Sequence, residues 1–329
     1  MKHPSLVQQT RFEPHDMAPP ALRRAVLDGL LARPRHLPSA YLYDARGSAL
    51  FEQICTLPEY YPTRTELAIL QTHAAAMAAR IGSRAVLVEP GSGAGVKTAL
   101  LLAQLHEPAA YVPVEISPSA LEVTVQAMAA RFPQLPIHPQ QADFTQAFTL
   151  PPALGHAGGA GERVVFFFPG STIGNFDPQQ AQALLARWRL LGGPNAGLLI
   201  GIDLRKDAAV LQAAYDDAQG VTAAFNRNLL VRINREFGAD FVPDAFDHLA
   251  RYDAEHGRIE MHLQSREAQV AHIVGHALRF DAGETIHTEN SYKYTLSGFA
   301  ALAEQAGWQQ DAHWTDPLQR FGVLAMRAA

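Results

Sequence analysis

The chain has 329 residues, of which 48% are hydrophobic and 18% charged, with a net charge of -5. That length suits two lobes, or one domain with a large insertion, and the acidic balance argues against non-specific binding to a nucleic-acid backbone. Cys55 is the single cysteine, which excludes an internal disulfide and any metal site built on several thiolates.

Residues 1–20 are polar and proline-containing and read as a loose tail. They lack the apolar core of a secretory signal. No apolar run, 164–168 included, approaches the ~20 residues needed to span a bilayer. A soluble, cytoplasmic protein is expected. Residues 21–33 have helical periodicity, ended by Pro34 and Pro38. A second helix starts near Gly47, a rigid turn with two tyrosines follows at 57–62, and a third helix covers 65–80. Apolar runs at 85–89, 111–115, 164–169 and 197–203 then alternate with amphipathic helices at 95–105, 118–131 and 178–191. Continuous apolar strands separated by helices predict a parallel sheet covered on both faces, and 151–162 reads as a surface loop. After Asp203 the alternation stops. Residues 206–236 read as two helices, and 246–253, 258–265 and 269–280 as antiparallel strands of an inserted lobe. A helix at 296–307 and strands at 308–314 and 321–327, with a turn at Pro317, close the chain.

The segment from Val86 to Lys97 reads as strand, glycine loop, helix. Glycines permit a sharp turn and leave no Cβ in a ligand's way, and the helix N-terminus beyond offers free N–H groups. Three site types compete for such a loop. A P-loop needs glycine where Val96 stands, although Lys97-Thr98 fit and Asp203 could pose as a magnesium-binding acid. A dinucleotide site fails at the same position. A methyl-donor site needs an acid near the first strand end, a short G-x-G, and an acid at the end of the next strand. Glu89, Gly91 with Gly93, and Glu115 meet all three needs, and the Glu115 carboxylate can accept from both ribose hydroxyls. Asp143 can bond the adenine amino group while Phe144 packs on the ring, although each could equally be an ordinary turn residue. A hydrolase elbow is excluded, because Gly93 and Thr172 stand where it needs serine. His272 and His276, read as sharing one strand face with no carboxylate nearby, are structural, and no metal site is expected.

Longer motifs add a resemblance. Tyr41-Leu42-Tyr43-Asp44, Leu57 to Glu66 (LPEYYPTRTE), Phe168 to Asn175 (FPGSTIGN), Tyr215-Asp216-Asp217 and Gly220 to Asn228 (GVTAAFNRN) together resemble the L-histidine Nα-methyltransferases of ergothioneine biosynthesis, from about residue 20 to the C-terminus. The resemblance implies an α/β fold with a Rossmann-like class I methyltransferase sheet, mostly parallel with an antiparallel C-terminal strand, and a second α+β substrate-binding lobe. The implied division is 1–62 and 205–284 for the lobe, and 63–204 and 285–329 for the cofactor domain. It implies S-adenosyl-L-methionine as cofactor, with Gly91, Lys97, Glu115, Asp143 and Phe144 as its contacts; Glu115 stands where relatives carry Asp. It implies trimethylation of the α-amine of L-histidine to hercynine; a monomer with no nucleic-acid or membrane partner is expected. Tyr60, Asn175, Tyr215, Glu289 and Ser291 become histidine contacts, Met261 an apolar wall of the pocket, and Tyr43 the catalytic group beside the amine.

The chemistry of these residues agrees. Asn175 and Tyr215 can donate to a carboxylate, Glu289 can accept from one imidazole N–H, and Ser291 or Tyr60 can serve the other nitrogen. Without the resemblance plainer roles compete: Tyr60 and Tyr61 wedged in the core, Asn175 as a helix cap, Tyr215 as a helix anchor, and Glu289 on an exposed turn. Three other functions also remain open at this level. They are a relative acting on another amino acid, a P-loop-like nucleotide hydrolase, and a catalytically silent cofactor-binding module.

Overall fold

The computed structural model describes residues 19–93, 95–154 and 163–329. Residues 1–18 of the predicted tail and 155–162 of the predicted loop lie outside the described residues. The first half of the chain forms α1 (Pro20–Leu31), β1 (Arg35–His36), α2 (Ala45–Ile54), α3 (Tyr61–Ile81), β2 (Ala85–Pro90), α4 (Val96–Leu102), β3 (Ala110–Glu115), α5 (Pro118–Arg131), β4 (Gln140–Gln141), β5 (Arg163–Phe168) and α6 (Pro178–Gly192). The second half forms β6 (Gly197–Asp203), α7 (Ala208–Tyr215), α8 (Val221–Phe237), β7 (Phe246–Asp253), β8 (Arg258–Ser265), β9 (Gln269–Ile273), β10 (His276–Phe280), β11 (Thr285–Tyr292), α9 (Leu296–Gln305), β12 (Trp308–Thr315) and β13 (Phe321–Ala328).

The four apolar runs build the centre of a seven-stranded sheet in the order β4-β3-β2-β5-β6-β13-β12. The strands from β4 to β6 are parallel to their neighbours, and β13 runs antiparallel to both β6 and β12. Strands β2, β5 and β6 are buried almost throughout, as a sheet with helices on both faces requires. Strand order reverses between β2 and β5, so the crevice beyond their carboxyl ends is the topological switch point where ligands of such sheets bind. One face packs on α6 through Trp188, which stacks on Phe166 (centroids 5.5 Å apart) and meets Phe168 edge-on at 4.8 Å.

A second layer holds the sheet β1-β11-β8-β7 and the hairpin β9-β10. One apolar core joins Leu30, Tyr41 and Ile54 from the N-terminal helices to Leu229 and Ile233 of α8 and to Phe246, Met261 and Ile286 of the strands. The N-terminal helices and the elements from α7 to β11 thus form a single lobe. Polar contacts reinforce it: Asp44 caps α2 through Gly47 N (2.8 Å), and the same carboxylate oxygen accepts from Asn228 of α8 (2.8 Å). Asp217 caps α8 in turn, accepting from the Val221 and Thr222 amides.

Three local expectations change. Helix α3 begins at Tyr61 rather than near 65, because Pro62 lies in the first turn, where its missing N–H costs nothing. The segment read as one strand over 269–280 is a hairpin, so His272 and His276 lie on opposite strands, and Asp240 is within 2.8 Å of His272. A boundary at 284/285 would put Thr285–Tyr292 in the cofactor domain, but this strand is hydrogen-bonded between β1 and β8 in the lobe. The register shift between His287 and Glu289 breaks the alternation that would have marked it. Among the described residues no helix is long and apolar enough to cross a membrane.

Trp188 is 1% exposed and serves as the wedge between α6 and the sheet. Trp188→Ala should lower unfolding free energy by about 3–5 kcal/mol in a urea titration; a loss below about 1 kcal/mol would mean the face repacks without it.

Candidate active site

The glycine loop follows β2 at the switch point. Gly91 (φ +70°) and Gly95 (φ +67°) lie in the left-handed region, and a Cβ on Gly95 would come within 2.6 Å of Met128 Cε. A Cβ on Gly91 would meet Phe144 Cε1 at 3.3 Å, so Phe144 packs directly on the loop. The loop is tied to its surroundings by Gly91 N donating to Val114 O (2.7 Å) and by the Thr124 hydroxyl donating to Gly93 O. Glu115, at the end of β3, accepts through Oε1 from the Ile116 and Ser117 amides (2.9 and 3.1 Å). Burial raises its carboxyl above the usual range, and those amides oppose the shift. Asp143 accepts through Oδ1 from the Thr145 amide and hydroxyl.

Two of the sequence-level acids serve the framework instead. Glu89 is 2% exposed and accepts from the Thr98 and Tyr111 hydroxyls; burial pushes its carboxyl up to about 7. The Asp203 carboxylate accepts from Tyr61, Lys206 and Lys293. Lys97 is ion-paired with Glu66 at 2.5 Å. The P-loop reading therefore loses its magnesium-binding acid, since the Asp203 carboxylate is taken up by Tyr61, Lys206 and Lys293.

The residues assigned to substrate meet where the lobe adjoins the carboxyl ends of the sheet strands. The loop after β5 carries Asn175, whose Nδ2 donates to Glu289 Oε1 at 3.2 Å. Asn175 is not a cap: Asp177 holds that place, and its N–H donates to Gln180 Oε1 at 3.1 Å. Glu289 is buried on β11 rather than on an exposed turn, directly across from Met261 of β8, which is 1% exposed. Burial pushes the Glu289 carboxyl up to about 7, with Lys293 acting in the opposite direction.

At the end of α7 the Tyr215 hydroxyl lies 2.7 Å from Ser291 Oγ. An aromatic row runs from Tyr43 through Phe51 and Tyr60 to Tyr215, each ring edge-on to the next at 5.6–6.1 Å. Phe225 of α8 closes on Tyr43 from another side. Tyr43 is 38% exposed overall, yet desolvation of its hydroxyl, followed by the nearby Glu289 charge, holds the phenol well above its ordinary value. It is therefore a neutral phenol near pH 7.

Sequence reasoning missed Lys293, Glu66 and the bonding of Tyr61. Lys293 contacts Asp203, Tyr215 and Ser291 at once. Glu66, 1% exposed, accepts from the Gly170 amide as well as from Lys97. No local signal marked them: Glu66 follows Thr63-Arg64-Thr65, and Lys293 follows Glu289-Asn290-Ser291-Tyr292.

The strand order, the glycine loop at the switch point and the acid at the end of β3 define a class I S-adenosylmethionine-dependent methyltransferase. Comparison with known proteins narrows the class. The chain belongs to the family described as histidine-specific methyltransferase, SAM-dependent, whose sequence model matches residues 22–328. It is 42% identical to a histidine N-alpha-methyltransferase of Mycolicibacterium smegmatis, over 95% of this chain and 97% of that protein. It is 41% identical to the Mycobacterium tuberculosis protein of the same name, over 92% and 94%. It is also 32% identical to the ergothioneine biosynthesis protein 1 of Neurospora crassa, over 86% of this chain but only 32% of that longer protein.

The raised Glu289 carboxyl has a consequence for stability. A carboxyl raised from its ordinary value to about 7 favours folding in its neutral form, so its contribution is complete below about pH 4.5 and is lost as pH rises through about 7. Glu289→Gln removes that loss. Calorimetry of the ligand-free protein should show the variant gaining on wild type between pH 5 and pH 8, by on the order of 3 kcal/mol. A gap independent of pH would place the carboxyl in water.

Proposed function

We propose that this protein transfers methyl groups to the α-amine of L-histidine, three times in succession, to give hercynine in ergothioneine biosynthesis. The observation that carries this reading is the pairing of Glu289 with Asn175, beside the bonded hydroxyls of Tyr215 and Ser291. Such a set suits a zwitterion bearing a ring with two nitrogens: Asn175 and Tyr215 donate to the carboxylate, while Glu289, with Ser291 or Tyr60, serves the imidazole. Met261 closes the apolar side. An analogue lacking the ring N–H groups would leave Glu289 buried without its partner.

The glycine loop fits the cofactor. Gly91 lies closer to Phe144 than a side chain there would comfortably allow, and Ser92 Oγ is buried with no hydrogen-bond partner among the described residues. Gly91, Lys97, Glu115, Asp143 and Phe144 would hold S-adenosyl-L-methionine. When bound, that group supplies an electrophilic methyl on a sulfonium, and the protein contributes alignment and amine deprotonation.

A protonated amine has no lone pair, so the proton must leave before transfer. In the first two transfers Tyr43, a neutral phenol, accepts a hydrogen bond from an amine N–H through its oxygen and orients the single lone pair, while the proton departs to water; in the third the amine has no N–H left, and the aromatic walls alone orient it. The faces of Tyr43 and its neighbours Phe51 and Phe225 tolerate the fixed cation that forms. The enzyme works as a cytoplasmic monomer on a free amino acid; the net charge of -5 supports the absence of a nucleic-acid partner.

Purified protein incubated with S-adenosylmethionine and a panel of amino acids should convert L-histidine alone to mono-, di- and trimethylated products by mass spectrometry. Methylation of another amino acid in preference to histidine would move the reading to a different substrate, and no methylation at all would end it. Tyr43→Phe should bind histidine within about threefold of wild type yet turn over roughly tenfold or more slowly. Unchanged turnover would remove Tyr43 from the mechanism.

A further inference from the structure

Lys293 lies just past the end of β11, where the chain passes from the lobe back to the cofactor domain. Its amide donates to Gly257 O in the turn between β7 and β8, and the next residue, Tyr294, donates to Asp203 O at the end of β6. The side chain is fully buried, and its ammonium donates to Asp203 Oδ2 (2.9 Å), the Tyr215 hydroxyl (2.8 Å) and Ser291 Oγ (2.8 Å). An ammonium has three hydrogens and no lone pair, so these contacts use all it has.

The Asp203 carboxylate does not need this lysine for neutrality. Lys206 is 2.6 Å from Oδ1, and Tyr61 donates to both oxygens. Two cations on one carboxylate leave a surplus positive charge beside the residues assigned to the substrate carboxylate. What Lys293 adds is direction. It donates into both the Tyr215 and Ser291 oxygens, which stand 2.7 Å apart, so one hydroxyl must donate to the other. Two hydroxyls carry two hydrogens; one is spent inside the pair and one is left for a ligand.

We propose that Lys293 is a positioning residue for substrate binding, which holds Tyr215 and Ser291 as a polarised pair offering one donor hydrogen and one acceptor lone pair. The inference rests on the histidine reading above. A carboxylate only accepts, so the free hydrogen belongs to Tyr215. Ser291 then donates to Tyr215, accepts from Lys293, and presents its remaining lone pair to the ring. The imidazole nitrogen facing Ser291 must therefore carry a hydrogen.

Lys293→Met tests this, because Asp203 keeps Lys206 and Tyr61. KM for L-histidine should rise about 10–100-fold, the worth of a charge-assisted hydrogen-bond network, with kcat within about threefold. Calorimetric affinity for S-adenosylhomocysteine should stay within about twofold of wild type, since the cofactor residues are untouched. In a Tyr215→Phe/Ser291→Ala background the same substitution should add less than about threefold, because a residue acting through two hydroxyls has nothing left to act through. Lys293→Gln, which keeps amide donors, should give a KM between the two, and it carries the test if the methionine variant fails to fold. A wild-type KM in either variant, a loss confined to kcat or to cofactor affinity, or full additivity in the double background overturns the proposal. Wild-type protein that binds no histidine refutes the function itself, whereas normal wild-type binding beside an indifferent Lys293 variant refutes only this inference.

Discussion

A buried carboxylate sits at the carboxyl end of the sheet, and the arrangement of the two lobes depends on how it is neutralised. Asp203 is 1% exposed; burial alone would raise its carboxyl, but Lys293 and Lys206 overcome that and hold it below its usual value. The four groups concerned come from separate parts of the chain. Tyr61 opens α3, Asp203 ends β6, Lys206 leads toward α7, and Lys293 follows β11. Removing the carboxylate from such a cluster typically costs about 3–5 kcal/mol, because the ammonium groups are left buried without their counter-charge. The cluster thus specifies where the lobe meets the sheet, a geometry that apolar packing alone would leave free to slide.

The loop after β5 connects that cluster to both ends of the site. Gly170 N donates to Glu66, which also holds Lys97 beside the glycine loop. One residue on, Ser171 Oγ accepts from the Asp203 amide at 2.8 Å. Gly174 packs so closely on β11 that a Cβ there would lie 2.7 Å from Tyr292 O, and Asn175 reaches Glu289. A segment of six residues therefore ties Glu66 beside the glycine loop, the interlobe cluster and Glu289 of the proposed substrate site together. Pre-organisation of this kind lets two reactants meet in line without ordering the protein anew at each methyl transfer.

Legibility in the sequence followed the range of the interactions. The central strands were visible because burial on both faces demands unbroken apolar runs. The glycine loop was visible because only glycine satisfies its backbone. The motifs bearing Tyr43, Asn175 and Tyr215 were long enough to carry a resemblance, although their roles could not be read from periodicity. Strand β11 was hidden by its irregular register at Thr288, and the start of α3 by a proline that reads as a breaker but is tolerated in a first turn. Lys293 and Glu66 were hidden for another reason. Each looks like an ordinary surface charge until the fold brings it to a partner, and those partners lie 78 and 104 residues away. No local pattern encodes such a pairing.

Glu289 shows how the same burial that costs stability can generate selectivity. Its carboxyl accepts one hydrogen bond from Asn175, and its main remaining influence is the Lys293 charge, which falls short of offsetting desolvation. In the free protein it therefore sits near neutrality, divided between two protonation states around pH 7. An imidazole has an ordinary pKa close to that of this carboxyl. Brought together, the two share one proton at little cost, and the resulting charge-assisted bond is stronger than either group makes with water. If Ser291 only accepts, as proposed above, the second ring nitrogen must bring its own hydrogen. A phenyl side chain would satisfy neither demand and an indole N–H at most one, so a buried polar group would be left without a ligand partner. On the proposed assignment, discrimination would come less from the shape of the Met261 wall than from an unmet electrostatic need that a ring with two protonated nitrogens fulfils.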